Sequence, residues 1–258
     1  MTIPLHEHAT GATIPAAVTN GAAAARMSTR YGMIDTAQVI AAFAENNYLT
    51  VQSSAKKTKK TKKQDPREVK HMIRLRHTDH ALSINGAVPE IVMLNAHDGT
   101  SSLRLLSGLF RLVCSNGLVV QSHALVEEVR IRHTHKALEE ALTAARTVMA
   151  ASIEAAHQIQ RWEQVMLTNG EQMRFAAEAS SLWTGRIPAQ DLLTVRRPDD
   201  AGDDLWRVFN RVQENLTVGG IVGRTATGRQ TRTRGIRAVD SSVRVNGALW
   251  ALAERFAA

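Results

Sequence analysis

Apolar residues recur along this chain in two rhythms, one near 3.6 and one near two, and the change of rhythm divides it into helical and extended stretches. Residues 1–30 are rich in Ala, Thr, Gly and Pro without apolar periodicity, which predicts a disordered N-terminal arm. Val39, Ile40, Phe43 and Ala44 then fall on one face of a short helix, with Asp35 or Thr36 as its N-cap. In residues 69–77, VKHMIRLRH, the period drops to about two, because Ile73, Leu75 and His77 alternate with Arg74 and Arg76. Strand-like runs follow at 81–84, 91–96, 102–106, 110–113, 118–120 and 129–133. Asn85-Gly86, Asp98-Gly99 and Asn116-Gly117 punctuate them with pairs that accept positive φ, so an antiparallel meander is the simplest arrangement.

From Thr134 the helical period returns. Leu138, Leu142, Ala145, Met149, Ala156 and Ile159 define a long helix continuing to about Leu167, where Asn169-Gly170 stops or bends it. Met173, Phe175, Ala179 and Leu182 mark the next helix, and Pro188 opens a short one. Leu205, Val208, Phe209, Val212 and Leu216 share a face of another helix that ends at Gly219-Gly220, and Val245, Leu249, Leu252 and Phe256 do so in the last. The predicted fold is α+β: an antiparallel β-meander with helices packed on one side, a long central helix and flexible basic segments. Residues 31–258 are expected to form a single domain, with a basic loop at 55–68, a β-rich part at 69–133 and a helical part at 134–258 that carries a second basic loop at 223–238.

Charge sharpens this picture. The formal net charge is +8, but residues 55–76 alone hold ten basic side chains (Lys56, Lys57, Lys59, Lys60, Lys62, Lys63, Arg67, Lys70, Arg74, Arg76) against two acids. Residues 224–237 hold Arg224, Arg229, Arg232, Arg234 and Arg237 and no acid, so the remainder carries 17 basic against 22 acidic residues. A mildly acidic body with two cationic segments is the distribution of a phosphate-binding surface. Six lysines within residues 56–63 are too alike in charge to pack, and flexible ammonium groups meet phosphates with little sequence discrimination. Lys70, Arg74 and Arg76 are placed by the alternation on one sheet face, extending the track. The five arginines add groups suited to bidentate phosphate contact.

Other chemistries find less support. No run approaches the roughly 20 apolar residues of a membrane span. No basic segment precedes an apolar run at the start, and Cys114 is the only cysteine, which together predict a cytoplasmic protein without a disulfide. His97, Asp98, Arg111, Cys114 and Asn116 lie close together in sequence and contain the residue types of a nucleophilic or metal centre. Yet Asp98-Gly99 and Asn116-Gly117 read equally as turns and Cys114 as a small core residue. His71, His77, His80, His133 and His135 show no third-ligand spacing, and no phosphate-cradling glycine motif precedes a helix, so no metal or cofactor is expected.

The segment LNAHDGTSSLRLLSGLFRLVCSNGLVV, residues 94–120, resembles the signature of the phage/plasmid-like protein family, domain of unknown function 932. LWRVFNRVQENLTVGG at 205–220, VRVNGALWALAE at 243–254 and TRYGMIDTAQVI at 29–40 are similar to its other signatures, so the likeness spans nearly the whole chain. Its signature residues here are His97, Asp98, Gly99, Arg111, Cys114, Asn116, Gly117, Gln213, Glu214 and Asn215. The resemblance implies a bacterial host and a role on a phage, prophage or plasmid. With the charge pattern it leads to a non-catalytic nucleic-acid-binding protein, with DNA before RNA as ligand, acting in recombination, replication or protection of the element. A hydrolase or nuclease centred on His97 and Asp98, and a counter-defence effector that binds a host protein, are the alternatives. A homo-oligomer is compatible with either, and no membrane partner is expected.

Overall fold

The computed structural model describes residues 14–29, 31–55, 65–78, 87–111, 117–119, 128–134, 136–183, 185–236 and 238–258. The chain divides into two compact units, Met1–Gly117 with Val126–Glu154, and Leu118–Leu125 with Ala155–Ala258.

The first unit is a sheet covered by helices. Residues 14–29, expected within a mobile arm, have a defined place: α1 (Ala16–Thr19) buries Ala17 and Val18, and Ala24 N–H donates to the His97 carbonyl at 3.0 Å. Helix α2 (Thr36–Glu45) starts where Asp35 accepts a hydrogen bond from Ala37 N–H at 3.0 Å, and it buries Val39, Ile40 and Phe43. Strand β1 (Tyr48–Ala55) follows and pairs antiparallel with β2 (His71–His77), which pairs antiparallel with β3 (Ala87–Asn95), which pairs antiparallel with β4 (Leu103–Arg111). Gly117–Val119 is strand β5, and β6 (Val129–Ile131) pairs with the opening residues of β4. The two runs expected at 102–106 and 110–113 are therefore one strand as far as Arg111, because Ser107 and Gly108 keep their pairing with Ile91 and Glu90. The run expected at 81–84 lies outside the described residues.

Alternate residues of β2, β3 and the start of β4 point to one core. Ile73, Leu75, Ile91, Met93, Leu103, Leu105 and Ile131 cluster with Val39, Ile40 and Phe43 and with Ala137, Ala141, Ala145, Val148 and Met149 of α3 (Ala137–Trp162). Burying each of the larger side chains is worth about 1.5–3 kcal/mol, and the alanines of α3 let the helix lie close to the strands.

In the second unit, the last turns of α3 bring Trp162 against Trp250, with ring centres 4.4 Å apart, and against Trp206 and Phe209. Helix α4 (Asn169–Ser180) begins with a capping box between Thr168 and Glu171, so the Asn169-Gly170 break expected in the long helix is the first turn of a new one. Short α5 (Ala189–Leu192), α6 (Leu205–Val218), capped by Asp204, and α7 (Val239–Ala257) follow the predicted periodicity. Between α6 and α7, within the segment expected as a flexible loop, strands β7 (Val222–Arg224) and β8 (Gln230–Arg232) form a hairpin.

Candidate functional site

Backbone bonds, not apolar anchors, hold the arginine-rich segment. Thr233 N–H donates to the Ile221 carbonyl at 2.8 Å, Thr233 Oγ1 accepts from Ile221 N–H at 3.1 Å, and Ile236 N–H donates to the Thr217 carbonyl at 2.8 Å. Gly228, at φ +84°, permits the turn, which Thr225 closes through its carbonyl and hydroxyl. Arg186, outside the hairpin in sequence, pairs with Arg224 through two reciprocal backbone bonds of 2.8 Å and so adds a third extended segment.

This frame carries Arg186, Arg224, Arg229, Arg232 and Arg234, all exposed. Val222 faces Arg232 and Arg224 faces Gln230 across the hairpin, so these four side chains share one face. Arg224 Nη1 donates to the Gly228 carbonyl and Arg232 Nη1 to the Gly220 carbonyl, both at 3.0 Å. Each bond orients a guanidinium while occupying one of its five N–H donors. Among the described residues no carboxylate forms an ion pair with any of the five arginines. A groove of about 410 Å³ opens beside them, lined by Arg186, Ile187, Pro188, Val222, Arg224 and Gln230.

The other expected cationic track is interrupted. Lys70 is half-buried before β2. Arg74 and Arg76 do share a sheet face, but both turn to one carboxylate: Arg74 Nε donates to Glu90 Oε2 at 2.6 Å and Arg76 Nη2 to Glu90 Oε1 at 2.7 Å. Arg74 also donates to Gln52 Oε1 at 2.6 Å and is buried. Two cations on one buried anion leave a structural cluster in place of an open phosphate face. Lys56, Lys57, Lys59, Lys60, Lys62, Lys63 and Arg237 lie outside the described residues.

His97 and Asp98 do not converge on a pocket. Asp98 Oδ1 accepts from Thr100 N–H at 3.0 Å and from the Thr100 hydroxyl, closing a turn in which Gly99 takes φ +70°. The His97 side chain is fully buried, and its Nε2 donates to the Ala17 carbonyl at 3.1 Å. His71 sits beside it, with ring centres 5.1 Å apart. Thr36 Oγ1 lies 2.7 Å from His71 Nε2 and accepts from Asn95 Nδ2 at 3.0 Å, while His71 Nδ1 donates to the Val69 carbonyl at 2.9 Å. Burial pushes the His71 imidazole down to about 4 and lowers His97 and His133 as well. Tyr31 stacks on His133, and burial, helped by the charge of Asp98, raises its phenol to about 12. Among the described residues no three His, Cys, Asp or Glu side chains gather as a metal-binding set. Arg111 closes β4, Gly117 opens β5, and Cys114 and Asn116 lie outside the described residues.

The signature on α6 is equally internal. Glu214 takes Arg197 through both carboxylate oxygens, at 3.0 and 3.1 Å from its Nε. Gln213 Nε2 donates to Asn246 Oδ1 at 3.0 Å. Asn215 Nδ2 lies 3.0, 2.8 and 2.9 Å from the carbonyls of Leu192, Thr194 and Arg211, and its Oδ1 accepts from Arg196 Nε. Sequence reasoning placed these residues on a helix but not their partners. It also missed Arg186, an isolated cation whose pairing with β7 no local run announces.

An α+β architecture with an exposed arginine hairpin defines the class of this protein, and the signature residues His97, Asp98, Gln213, Glu214 and Asn215 bond to neighbouring groups within it. The chain belongs to the family described as Domain of unknown function (DUF932), whose model matches residues 24–250. It is similar to the UPF0380 protein YfjQ and the UPF0380 protein YafZ of Escherichia coli (strain K12), each 37% identical over 202 residues, covering 75% of this chain and 72% of the relative. No solved structure matches it. Among the described residues no helix is long and apolar enough to cross a membrane.

Proposed function

We propose that this protein binds the phosphate backbone of nucleic acid, DNA before RNA, through the β7-β8 hairpin, and serves recombination, replication or protection of a phage, prophage or plasmid. One observation carries the reading: five exposed guanidiniums stand on a backbone-braced frame with no ion-paired carboxylate among the described residues, whereas Arg74, Arg76 and Arg197 are matched to buried acids. Oriented guanidiniums exchange condensed counterions for phosphate contacts, which makes binding steeply salt-dependent. The mobile-element setting rests on the family resemblance of the signature segments.

Gel shifts over a salt series test it. Five neutralised phosphates on a duplex give a log–log slope on the order of −4 to −5, and the six lysines of residues 56–63, where engaged, steepen it further. Changing Arg224, Arg229, Arg232 and Arg234 to Gln is expected to flatten the slope by about 3 to 4. Absence of binding at low salt, or a slope near zero, rejects the reading; a slope unchanged by the four substitutions rejects the hairpin as its site.

A further inference from the structure

We infer that the groove beside the hairpin is a seat for single-stranded nucleic acid, with Trp183, which lies next to the groove and not in its lining, as the stacking platform for a base turned out at its edge. This rests on the phosphate-binding reading above and adds the strandedness of the ligand.

Trp162, Trp206 and Trp250 are fully or almost fully buried and pack on one another or on Phe209. Trp183 has another setting. It is half-buried and makes no ring contact with another aromatic among the described residues. Its indole nitrogen and the Arg224 carbonyl oxygen both border Gly185: a Cβ built there would stand 3.0 Å from Trp183 Nε1 and 2.3 Å from the Arg224 oxygen. Gly185 is therefore the spacer that lets a tryptophan approach the end of β7, one residue from the Arg186–Arg224 pairing. The groove itself combines apolar walls, Ile187, Pro188 and Val222, with the Gln230 amide and the guanidiniums of Arg186 and Arg224.

That mixture suits a base more than a phosphate run alone. A duplex offers a guanidinium surface its phosphates, but its bases are already stacked on each other. A single strand can turn a base out onto an indole while flanking phosphates meet the arginines, and stacking of this kind is worth about 1–3 kcal/mol per base. Gln230 presents both a donor and an acceptor to a base edge without fixing which base is taken. The expected ligand is thus a single strand bound with little sequence preference.

Fluorescence anisotropy of the full chain, with a labelled oligothymidylate and a blunt duplex of the same length, tests the inference. The oligothymidylate is expected to bind more tightly. Trp183→Ala should weaken it by about five-fold or more, a larger factor than for the duplex, while Trp183→Phe retains most of the affinity. Should Trp183→Ala fail to fold, intrinsic fluorescence decides: oligothymidylate quenches the wild-type emission, and Trp183→Phe loses that quenching while still binding. Equal loss on both ligands, no loss in Trp183→Ala, or quenching that persists in Trp183→Phe overturns the stacking seat. If neither ligand binds the wild type, the phosphate-binding reading itself falls. If both bind with the expected salt and arginine dependence and Trp183 is silent, only the single-strand inference does.

Discussion

Arg74 Nε donates to Glu90 Oε2 at 2.6 Å, with the two side chains only 7% and 1% exposed. The second Glu90 oxygen takes Arg76, so one carboxylate serves two guanidiniums across β2 and β3. Glu90→Gln keeps the shape and removes the buried charge that Arg74 and Arg76 share. A loss of about 3–5 kcal/mol in urea unfolding is expected. Whatever fraction remains folded should still bind a polyanion, since the hairpin is untouched. A shift of the unfolding midpoint within error would show that Glu90 does not hold the cluster.

His71 gives the first unit a pH dependence of known sign. Its ring is held neutral, donating from Nδ1 to Val69 and lying within hydrogen-bond distance of the Thr36 hydroxyl, and burial lowers its pKa from 6.5 to about 4. Between those values the unfolded chain binds a proton that the folded one refuses, so stability is intact above about 6.5 and falls as pH drops toward about 4. The loss is on the order of 3 kcal/mol, and His97 and His133, lowered by the same cause, add to it. His71→Gln should flatten the profile in this window when thermal melts are compared from neutral to acid pH. Parallel profiles for the two proteins would refute a buried neutral imidazole.

Gly219 and Gly220 separate two kinds of glycine requirement. Both have positive φ, +75° and +88°, but a Cβ on Gly219 would meet Arg234 C at 2.7 Å and Gly235 N at 2.8 Å, while one on Gly220 meets nothing within 4 Å. Gly220→Ala is therefore expected to cost backbone strain alone, about 1–2 kcal/mol. Gly219→Ala adds a collision with backbone that cannot swing away, displacing the strand end that carries Arg232 and Arg234. Melting and polyanion affinity should both fall further for Gly219→Ala than for Gly220→Ala. Equal effects on both readouts would contradict the contact.

What could be read in advance was what local rhythm encodes. The apolar faces of α2, α6 and α7 and the alternation of β2 follow from spacing alone. Strand β1 escaped because its alternation slips at a bulge between Thr50 and Gln52, and β4 looked like two strands because Ser107-Gly108 resembles a break. The arginines of β2 were placed on the right face, but the acid opposite them lies on another strand, where no spacing rule reaches. The arginine-rich run predicts a loop because the hairpin's order comes from backbone pairing with Thr217, Ile221 and Arg186, which no apolar spacing announces. Arg186 became part of the candidate site only through that pairing.

Asn215 decides whether the α6 signature is chemical or architectural. Its amide nitrogen shares two N–H groups among three carbonyls, those of Leu192, Thr194 and Arg211, and it is buried. Asn215→Asp changes no volume but places carboxylate oxygen where those carbonyls need a donor. Arg196, already bound to Oδ1, offsets part of the new charge but cannot supply the lost N–H groups. Leaving buried acceptors unsatisfied costs about 1–3 kcal/mol each, so destabilisation of at least about 2 kcal/mol is expected in urea unfolding. Asn215→Ala should cost a similar amount and should restore nothing on addition of any ligand. A variant that unfolds at the wild-type midpoint yet loses nucleic-acid binding would move Asn215 from the frame of the helices to the contact surface.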